Sequence, residues 1–191
     1  MNIYLNKFKI NRPILTLINC ILWISFSFHS VAQSSSLEYQ VKTSFIYNFL
    51  LFTEWPHVNS SIEQDIFLNL CIVGKGAYGT ALDALNNQKI GSKIIKLKSL
   101  SDSSNISSIC HAIIFSSFSN DKAITVLKRI SDSSVLTIGE TDGFLEIGGQ
   151  IQFVIINDSI KFEINQKAVE TVGLTISSKV LRLANRVILN E

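Results

Sequence analysis

Apolar positions along residues 37–53 recur at helical spacing. They fall at 41, 45, 46, 49, 50 and 52, which gives the segment one broad apolar face. This pattern predicts an amphipathic α-helix. Glu54-Trp55-Pro56 is expected to end the helix, because proline cannot continue it and restricts the preceding residue.

Short apolar runs then alternate with helical patterns between residues 66 and 138. The alternation predicts βα units, and therefore a single-domain α/β fold with a mainly parallel sheet flanked by helices, of Rossmann or flavodoxin-like type. Ser119-Asn120-Asp121 supplies the N-cap candidate for the second helix of this stretch. The predicted strands are 66–73, 93–97, 111–115 and 135–138, and the predicted helices are 77–86 and 121–130.

The pattern changes after residue 150. Residues 151–158 and 160–165 read as two strands joined by a tight turn at Asp158-Ser159, which predicts an antiparallel hairpin added to the sheet. A final helix is expected over 166–188, with a break near Gly173. Its predicted inward positions are Val169, Val172, Leu174, Ile176, Val180, Leu181, Leu183 and Ala184.

The first 32 residues have the order of a secretory signal peptide. A basic segment precedes an apolar stretch at 14–28, and Ser30-Val31-Ala32 places small residues at the −3 and −1 positions of a cleavage site. We predict cleavage after Ala32 and export of residues 33–191 as one domain. An uncleaved membrane anchor is the alternative, although the apolar stretch is short for a span.

Removal of the signal segment changes the charge balance. Lys7, Lys9 and Arg12 account for three of the 17 basic residues, so residues 33–191 carry 14 basic against 15 acidic ones. No basic stripe with interleaved aromatics remains, which argues against nucleic-acid binding. No second apolar stretch is long enough to span a membrane, so the exported form is expected to be soluble.

A glycine pattern follows the first predicted strand. Gly74-x-Gly76-x-x-Gly79 is the arrangement that dinucleotide-binding folds use at a phosphate. The second strand, however, ends at Leu97-Lys98-Ser99 and lacks the acidic residue that binds a ribose hydroxyl. A tight strand-to-helix turn is therefore the favoured interpretation. The alternative is an exported small-ligand-binding module in which this turn holds an anion.

Two cysteines remain after export, Cys71 and Cys110. In a flavodoxin-like strand order the third strand lies beside the first, which brings the two cysteines within reach of a disulfide bond. The oxidising compartment favours that bond. Two free, buried thiols are the alternative.

No residue set has the spacing of a catalytic or metal site. A Gly-x-Ser-x-Gly turn is missing, and His57 and His111 do not have zinc-like spacing with the cysteines. Glu140, Asp142 and Glu146 lie in a turn-rich segment without an evident partner, as solvated carboxylates do. We therefore predict a protein that is not an enzyme and uses no metal or cofactor.

Four segments together resemble the YfiR family of exported proteins in their order and spacing. They are "EYQVKTSFIYNFLLFTEWP" at 38–56, "CIVGKGAYG" at 71–79, "LTIGETDGFLEIGGQIQFVI" at 136–155 and "IKFEINQKAVETVGLTISSKVLRLANRV" at 160–187. The most specific part is Phe-x-Ile-Asn followed by Gly-Leu-x-Ile-Ser-Ser-Lys-x-Leu. The resemblance covers nearly all of the chain after residue 32.

The resemblance implies a periplasmic repressor. Such a protein binds the periplasmic domain of an inner-membrane diguanylate cyclase and holds it inactive, which lowers cyclic di-GMP and biofilm formation. An outer-membrane peptidoglycan-binding lipoprotein is implied as a second partner, and a homodimer is an open alternative. Better-known members carry a redox-sensitive disulfide and often a second, structural pair, whereas residues 139–155 contain no cysteine here.

A repressor of this kind needs an exposed apolar patch with a polar rim. The hairpin and the final helix are the predicted partner surface. An equally good interpretation is that its apolar members belong to the core and its polar members are solvated or cap helices. The predicted surface residues are Phe162, Glu163, Asn165, Ser177, Ser178 and Lys179.

Overall fold

The computed structural model describes residues 31–56, 66–74, 78–100, 109–117 and 119–189, with backbone alone at 31–36. The chain divides into two compact units, residues 1–37 and 38–191, and the fold below is that of the second. Residues 1–30 of the predicted signal peptide lie outside the described part, so the signal peptide stays a prediction. Helix α1 (Val31–Leu51) is the first element described.

Eight strands form the main sheet of the second unit. Their order is β10-β8-β7-β6-β5-β2-β4-β3, and two further strands, β1 and β9, pair with each other in a small antiparallel sheet. The strands are β1 (Thr53–Glu54), β2 (Phe67–Gly74), β3 (Lys89–Ile90), β4 (Lys93–Leu100), β5 (Ala112–Ser116), β6 (Leu136–Gly139), β7 (Ile151–Ile156), β8 (Ser159–Asn165), β9 (Thr175–Ile176) and β10 (Arg186–Ile188). The remaining helices are α2 (Asn120–Arg129), α3 (Gln166–Thr171), α4 (Ser178–Leu181) and a 3-10 helix (Gly79–Leu85).

The topology confirms the predicted α/β class. β2 lies between β4 and β5, and the neighbouring pairs from β4 through β2, β5 and β6 to β7 are all parallel. β8 then runs antiparallel to β7 as the predicted hairpin. β5, "AIIFS", is buried at every position because it lies near the middle of the sheet, with side chains packed on both faces.

Each face of the sheet has its own hydrophobic cluster. On one face, Leu70, Ile114 and Ile138 pack with α1, the hairpin and the C-terminal elements. On the other, Ile113 and Phe115 pack with residues of α2. Alternation along each strand divides the side chains between these two clusters.

Helix α1 covers the added hairpin as well as the parallel strands. Phe49 contacts Phe162 of β8 with the ring centroids 4.8 Å apart, and Phe45 contacts the same ring at 5.3 Å. Phe153 of β7 lies 5.8 Å from Phe49. The first helix and the hairpin therefore form one continuous aromatic core, because aromatic pairs at these separations attract each other.

The final helix predicted over 166–188 is confirmed only as short helical pieces, with the predicted break near Gly173. The structure has α3, β9, α4 and β10 in this segment, and Gly173 adopts a φ of 75°, which breaks helical geometry between α3 and β9. The residues after the break add strands to both sheets, which a helical spacing of apolar residues does not reveal. The predicted inward position Leu183 is exposed.

Two turns also differ from their predictions. The two-residue loop of the hairpin is Asn157-Asp158 rather than Asp158-Ser159, with φ of 49° and 56°. Asparagine and aspartate tolerate this left-handed conformation, which suits the twist of a hairpin. The helix predicted at 77–86 is a 3-10 helix at Gly79–Leu85, followed by the short strand β3 that the pattern missed.

Candidate functional site

Cys71 and Cys110 form a disulfide bond in the structure, with their Cα atoms 5.8 Å apart. The pairing agrees with the sequence prediction, but the two cysteines are not opposite each other on neighbouring strands. Cys71 lies directly beside Ile113 in the register of β2 and β5, so Cys110 does not oppose it in the sheet. The bond instead closes against the α2 face, where both cysteines are buried with Val126. A redox function for this bond stays a prediction.

His111, the residue after Cys110, joins β2 to the segment that enters β5. Its Nδ1 accepts a hydrogen bond from the backbone N–H of Asn69 at 3.0 Å, and its carbonyl accepts one from the indole of Trp55 at 3.2 Å. The backbone N–H of His111 also donates to the Asn69 carbonyl. His111 therefore has a structural role at the amino end of these strands. His57 lies outside the described residues.

Gly74 and Gly79 lie on either side of residues 75–77, which are outside the described part of the chain. Gly74 and Gly79 have φ of 108° and 49°, which favour glycine, and Gly76 lies outside the described residues. The element that follows is a seven-residue 3-10 helix. A short 3-10 helix lacks the α-helical N terminus that anion binding at such turns uses. Anion binding at this turn stays a prediction, without a second observation to support it.

The predicted partner residues on β8 divide between the two faces of the sheet. Phe162 is buried in the α1 face, so its side chain is not available to a partner. Glu163 and Asn165 alternate onto the opposite face. There Glu163 accepts hydrogen bonds from Arg186 Nε at 2.8 Å and Asn185 Nδ2 at 2.9 Å.

Asn165 is occupied by local structure. Its Oδ1 accepts a hydrogen bond from the N–H of Ala168 and caps α3, and its Nδ2 donates to the carbonyl of Leu145. The capping interpretation left open by the sequence therefore holds for this residue.

The remaining predicted residues, Ser177, Ser178 and Lys179, lie next to α1. The N–H of Ser177 donates to the carbonyl of Phe52, and Lys179 Nζ lies 5.5 Å from the centre of the Phe52 ring. Ser178 and Lys179 are exposed, and the Ser177 hydroxyl accepts a bond from the Lys179 N–H at the start of α4. The six predicted residues thus do not share one face.

A buried charged cluster lies where the carboxyl end of β6 meets α1. Lys42 Nζ lies 2.9 Å from Glu140 Oε1 and 2.6 Å from Glu38 Oε1, and the Lys42 side chain is only 7% exposed. The same ammonium group lies 4.9 Å from the centre of the Tyr39 ring. Glu140 therefore has a partner, contrary to its prediction as a solvated carboxylate.

Tyr78 completes this cluster from the turn after β2. Its ring lies 4.8 Å from that of Tyr39 in an edge-on contact, and its buried hydroxyl has no hydrogen-bond partner. Burial, and next the charge of Glu140, raises the pKa of Tyr78 above its ordinary value. Burial lowers the pKa of Lys42, but hydrogen bonds to Glu38 and Glu140 outweigh burial, and the net change is upward.

Stability is expected to fall above about pH 10 because of these groups. Tyr78 and Lys42 hold their protons more tightly in the folded chain, so the folded state binds more protons than the unfolded one at alkaline pH. Their contribution is constant at neutral pH. It is lost as the pH rises past the ordinary values of 10.0 for tyrosine and 10.5 for lysine. Urea unfolding at pH 7, 9.5 and 11 measures this loss.

Tyr78→Phe tests the assignment to the cluster. The variant is expected to lose less stability between pH 9.5 and 11, and to change the free energy of unfolding by less than about 1 kcal/mol at pH 7, since the hydroxyl is unpaired. Tyr47→Phe, on α1 with Tyr39 but outside the cluster, is the matched control and keeps the full loss. Equal alkaline losses in wild type and Tyr78→Phe would contradict the prediction.

Two exposed leucines flank the edge strand β10. Leu183 is 69% and Leu189 62% exposed. Between them, Arg186 Nη2 lies 2.7 Å from Glu163 Oε2 and 3.2 Å from Glu146 Oε1. The free end of the sheet therefore combines large apolar side chains with a charge that is already paired, as an interaction surface with a polar rim does.

Sequence reasoning missed both the Lys42 cluster and the exposed leucines. Lys42 carries a signal that was available, because it lies four residues before Ile46 on the inward face and four after Glu38. A lysine among inward positions predicts a buried partner. Leu183 and Leu189 carry no such signal, because their exposure depends on the chain leaving α4 for the sheet edge.

Two kinds of site are absent from the described residues. No helix in the described ranges is both long and apolar enough to cross a membrane. No group of three or more histidine, cysteine or acidic side chains in those ranges is arranged to hold a metal ion.

These features define a class: a mostly parallel α/β domain enlarged by a C-terminal hairpin and edge strand, with a helix docked through a buried ion pair. The sequence matches the family described as YfiR/HmsC-like over residues 39–185. The chain therefore belongs to the YfiR/HmsC-like family, which confirms the resemblance noted from the sequence. This family consists of periplasmic, non-catalytic regulators of diguanylate cyclase signalling.

Two solved structures are similar to part of this chain. One is the crystal structure of the ABC domain in complex with L-Trp from Streptococcus pneumonia. It has 14% identity and a TM-score of 0.46, and the match covers 66% of this chain and 56% of that one. The other is a conserved domain protein from Vibrio cholerae O1 biovar El Tor, with 11% identity and a TM-score of 0.45, covering 78% and 60%.

Proposed function

We propose that this protein binds the periplasmic sensor domain of an inner-membrane diguanylate cyclase and inhibits it. The family supports regulation of such signalling. Inhibition needs only a difference in affinity: a protein that binds the inactive conformation of the sensor more tightly shifts the population toward it. No catalytic group of the inhibitor is required for this.

The contact surface that we propose surrounds β10. The single observation that carries it is the exposure of Leu183 and Leu189 on either side of the ion-paired Arg186. Serine and lysine of α4 supply the polar rim, and Arg182 Nη1 lies 3.5 Å from the Ser178 hydroxyl there. We call this the edge surface. It wraps around the free edge of the sheet, with Ser178 and Lys179 on the α1 side, Glu163 and Arg186 on the other side, and the exposed Leu183 and Leu189 at either end of β10.

Leu183→Asp is expected to weaken binding of the sensor domain at least about tenfold, because it places a charge at the apolar centre of the contact. The free energy of unfolding should change by less than about 0.5 kcal/mol, since the side chain is exposed in the free protein. Calorimetric titration of the purified sensor domain measures the first quantity, and urea unfolding measures the second.

Ile155→Asp is the matched control. Ile155 is 64% exposed, but it lies at the turn end of the hairpin opposite Ile160, several residues from where β10 pairs with β8. The control should bind the sensor domain as wild type does. If both variants bind equally well, the edge surface is wrong. If wild type does not bind and its deletion leaves cyclic di-GMP unchanged, the proposed function is wrong.

Three other predictions concern binding partners, and the fold tests none of them. An outer-membrane peptidoglycan-binding lipoprotein remains the second predicted partner, and adding it to the titration as a competitor tests whether it uses the edge surface. A homodimer stays a prediction that ultracentrifugation tests. The small-ligand module at the Gly74–Gly79 turn has no supporting observation among the described residues.

A further inference from the structure

The loop of residues 140–149 contacts both the buried Lys42 cluster and the ion pairs of the edge surface. It begins at Glu140, which binds Lys42 of α1. Further along, Glu146 binds Arg186 of β10 at 3.2 Å. The loop therefore connects the first helix to the edge strand through two ion pairs.

Hydrogen bonds hold the middle of this loop to the hairpin. The N–H of Leu145 donates to Gln152 Oε1 of β7 at 3.2 Å, and the carbonyl of Leu145 accepts from Asn165 Nδ2 of β8 at 3.3 Å. Gln152 is buried, so a change in the loop position leaves its amide unpaired. The loop and β8 are thus expected to adjust together.

The geometry points to Lys42 and Glu140 as positioning residues. They hold the edge surface in place but are not part of it. This inference rests on the proposed function. Their pair fixes the start of the loop, and the loop in turn holds Glu163 through Arg186, which contacts Glu146 and Glu163 together. Loss of the pair upsets the charge balance at a buried site, and Glu140 lies outside regular secondary structure, so the start of the loop is expected to shift rather than α1.

The test combines hydrogen exchange with binding. In Lys42→Met and Glu140→Gln, amide exchange over 140–149 and over 159–165 is expected to be about tenfold faster than in wild type, with little change elsewhere. Sensor binding should weaken about tenfold as well. The double variant should recover part of both losses, because neither Lys42 nor Glu140 is then left buried without the other.

Lys96→Met is the matched control. Lys96 also places its ammonium over an aromatic ring, 5.1 Å from the centre of Phe67, but on β4, on the side of β2 away from β6 and the loop. Lys96→Met should change neither the amide exchange of residues 140–149 and 159–165 nor the binding of the sensor domain. Glu140→Gln keeps the size of the side chain, so it serves if Lys42→Met does not fold.

Two results would overturn the inference. One is a uniform rise in exchange over the whole domain, which would make the pair a general stabiliser only. The other is faster exchange over 140–149 with 159–165 unchanged. If wild type does not bind the sensor domain, the proposed function fails, while the exchange data still decide whether the pair positions the hairpin.

Discussion

Gly149→Ala is expected to lower the free energy of unfolding by about 3 kcal/mol, because it adds a methyl group to a site that is already filled. A Cβ at this position would overlap the ring of Phe144 and lie 2.6 Å from the Phe144 carbonyl oxygen. The ring cannot move away easily. It is buried against Phe115, with the ring centroids 5.1 Å apart, and it also packs directly on Gly139, where an added Cβ would overlap it. Urea unfolding followed by circular dichroism measures the loss.

A second substitution separates overlap from backbone strain. Gly148, the neighbour, has a φ of 98° and open space around its Cα, so Gly148→Ala should cost only about 1 kcal/mol. Phe144→Leu removes part of the ring and should make Gly149→Ala less costly in the double variant than in the single one. If the unfolding midpoint of Gly149→Ala equals that of wild type, Phe144 does not pack closely against Gly149.

Loss of the Cys71–Cys110 bond is expected to lower the free energy of unfolding by about 3 kcal/mol, because the bond restricts the unfolded chain over a sequence separation of 39 residues. The effect should appear in Cys71→Ala/Cys110→Ala. It should also appear in wild type unfolded with a reductant present, where no methyl-sized cavity is made.

The reductant is therefore the control for the mutation. Equal losses in both experiments assign the effect to the bond, whereas a larger loss in the double variant assigns the excess to packing on the α2 face. If reductant does not change the unfolding midpoint although mass spectrometry shows free thiols, the bond does not stabilise the fold. Comparing sensor binding in oxidised and reduced protein then tests the redox prediction separately.

The sheet was predictable from the sequence because each strand has a strong local pattern. The run at β5 and the alternation in β7 and β8 reflect burial that is decided within a few residues. The order of β2 between β4 and β5 followed from the connection rules of α/β folds. The cysteine pairing followed from that order, even though the register places Ile113, and not Cys110, beside Cys71.

The C-terminal segment was not predictable in the same way. Apolar residues at 169, 172, 176 and 180 suit a helix, but the segment gains more by pairing with β1 and β8, which lie far away in sequence. Local pattern contains no information about such pairing. The edge surface and the loop at 140–149 depend on long-range pairing, which the local sequence pattern does not encode.

The aromatic core between α1 and the hairpin also sets the order of assembly. Phe45 and Phe49 are made early, whereas Phe153 and Phe162 follow more than 100 positions later, as Glu140 follows Lys42 by 98. At about 5–20 residues per second of synthesis, the hairpin residues that cover the apolar face of α1 are made on the order of 5–20 s after it. The core between α1 and the hairpin can therefore close only after the hairpin strands have been made.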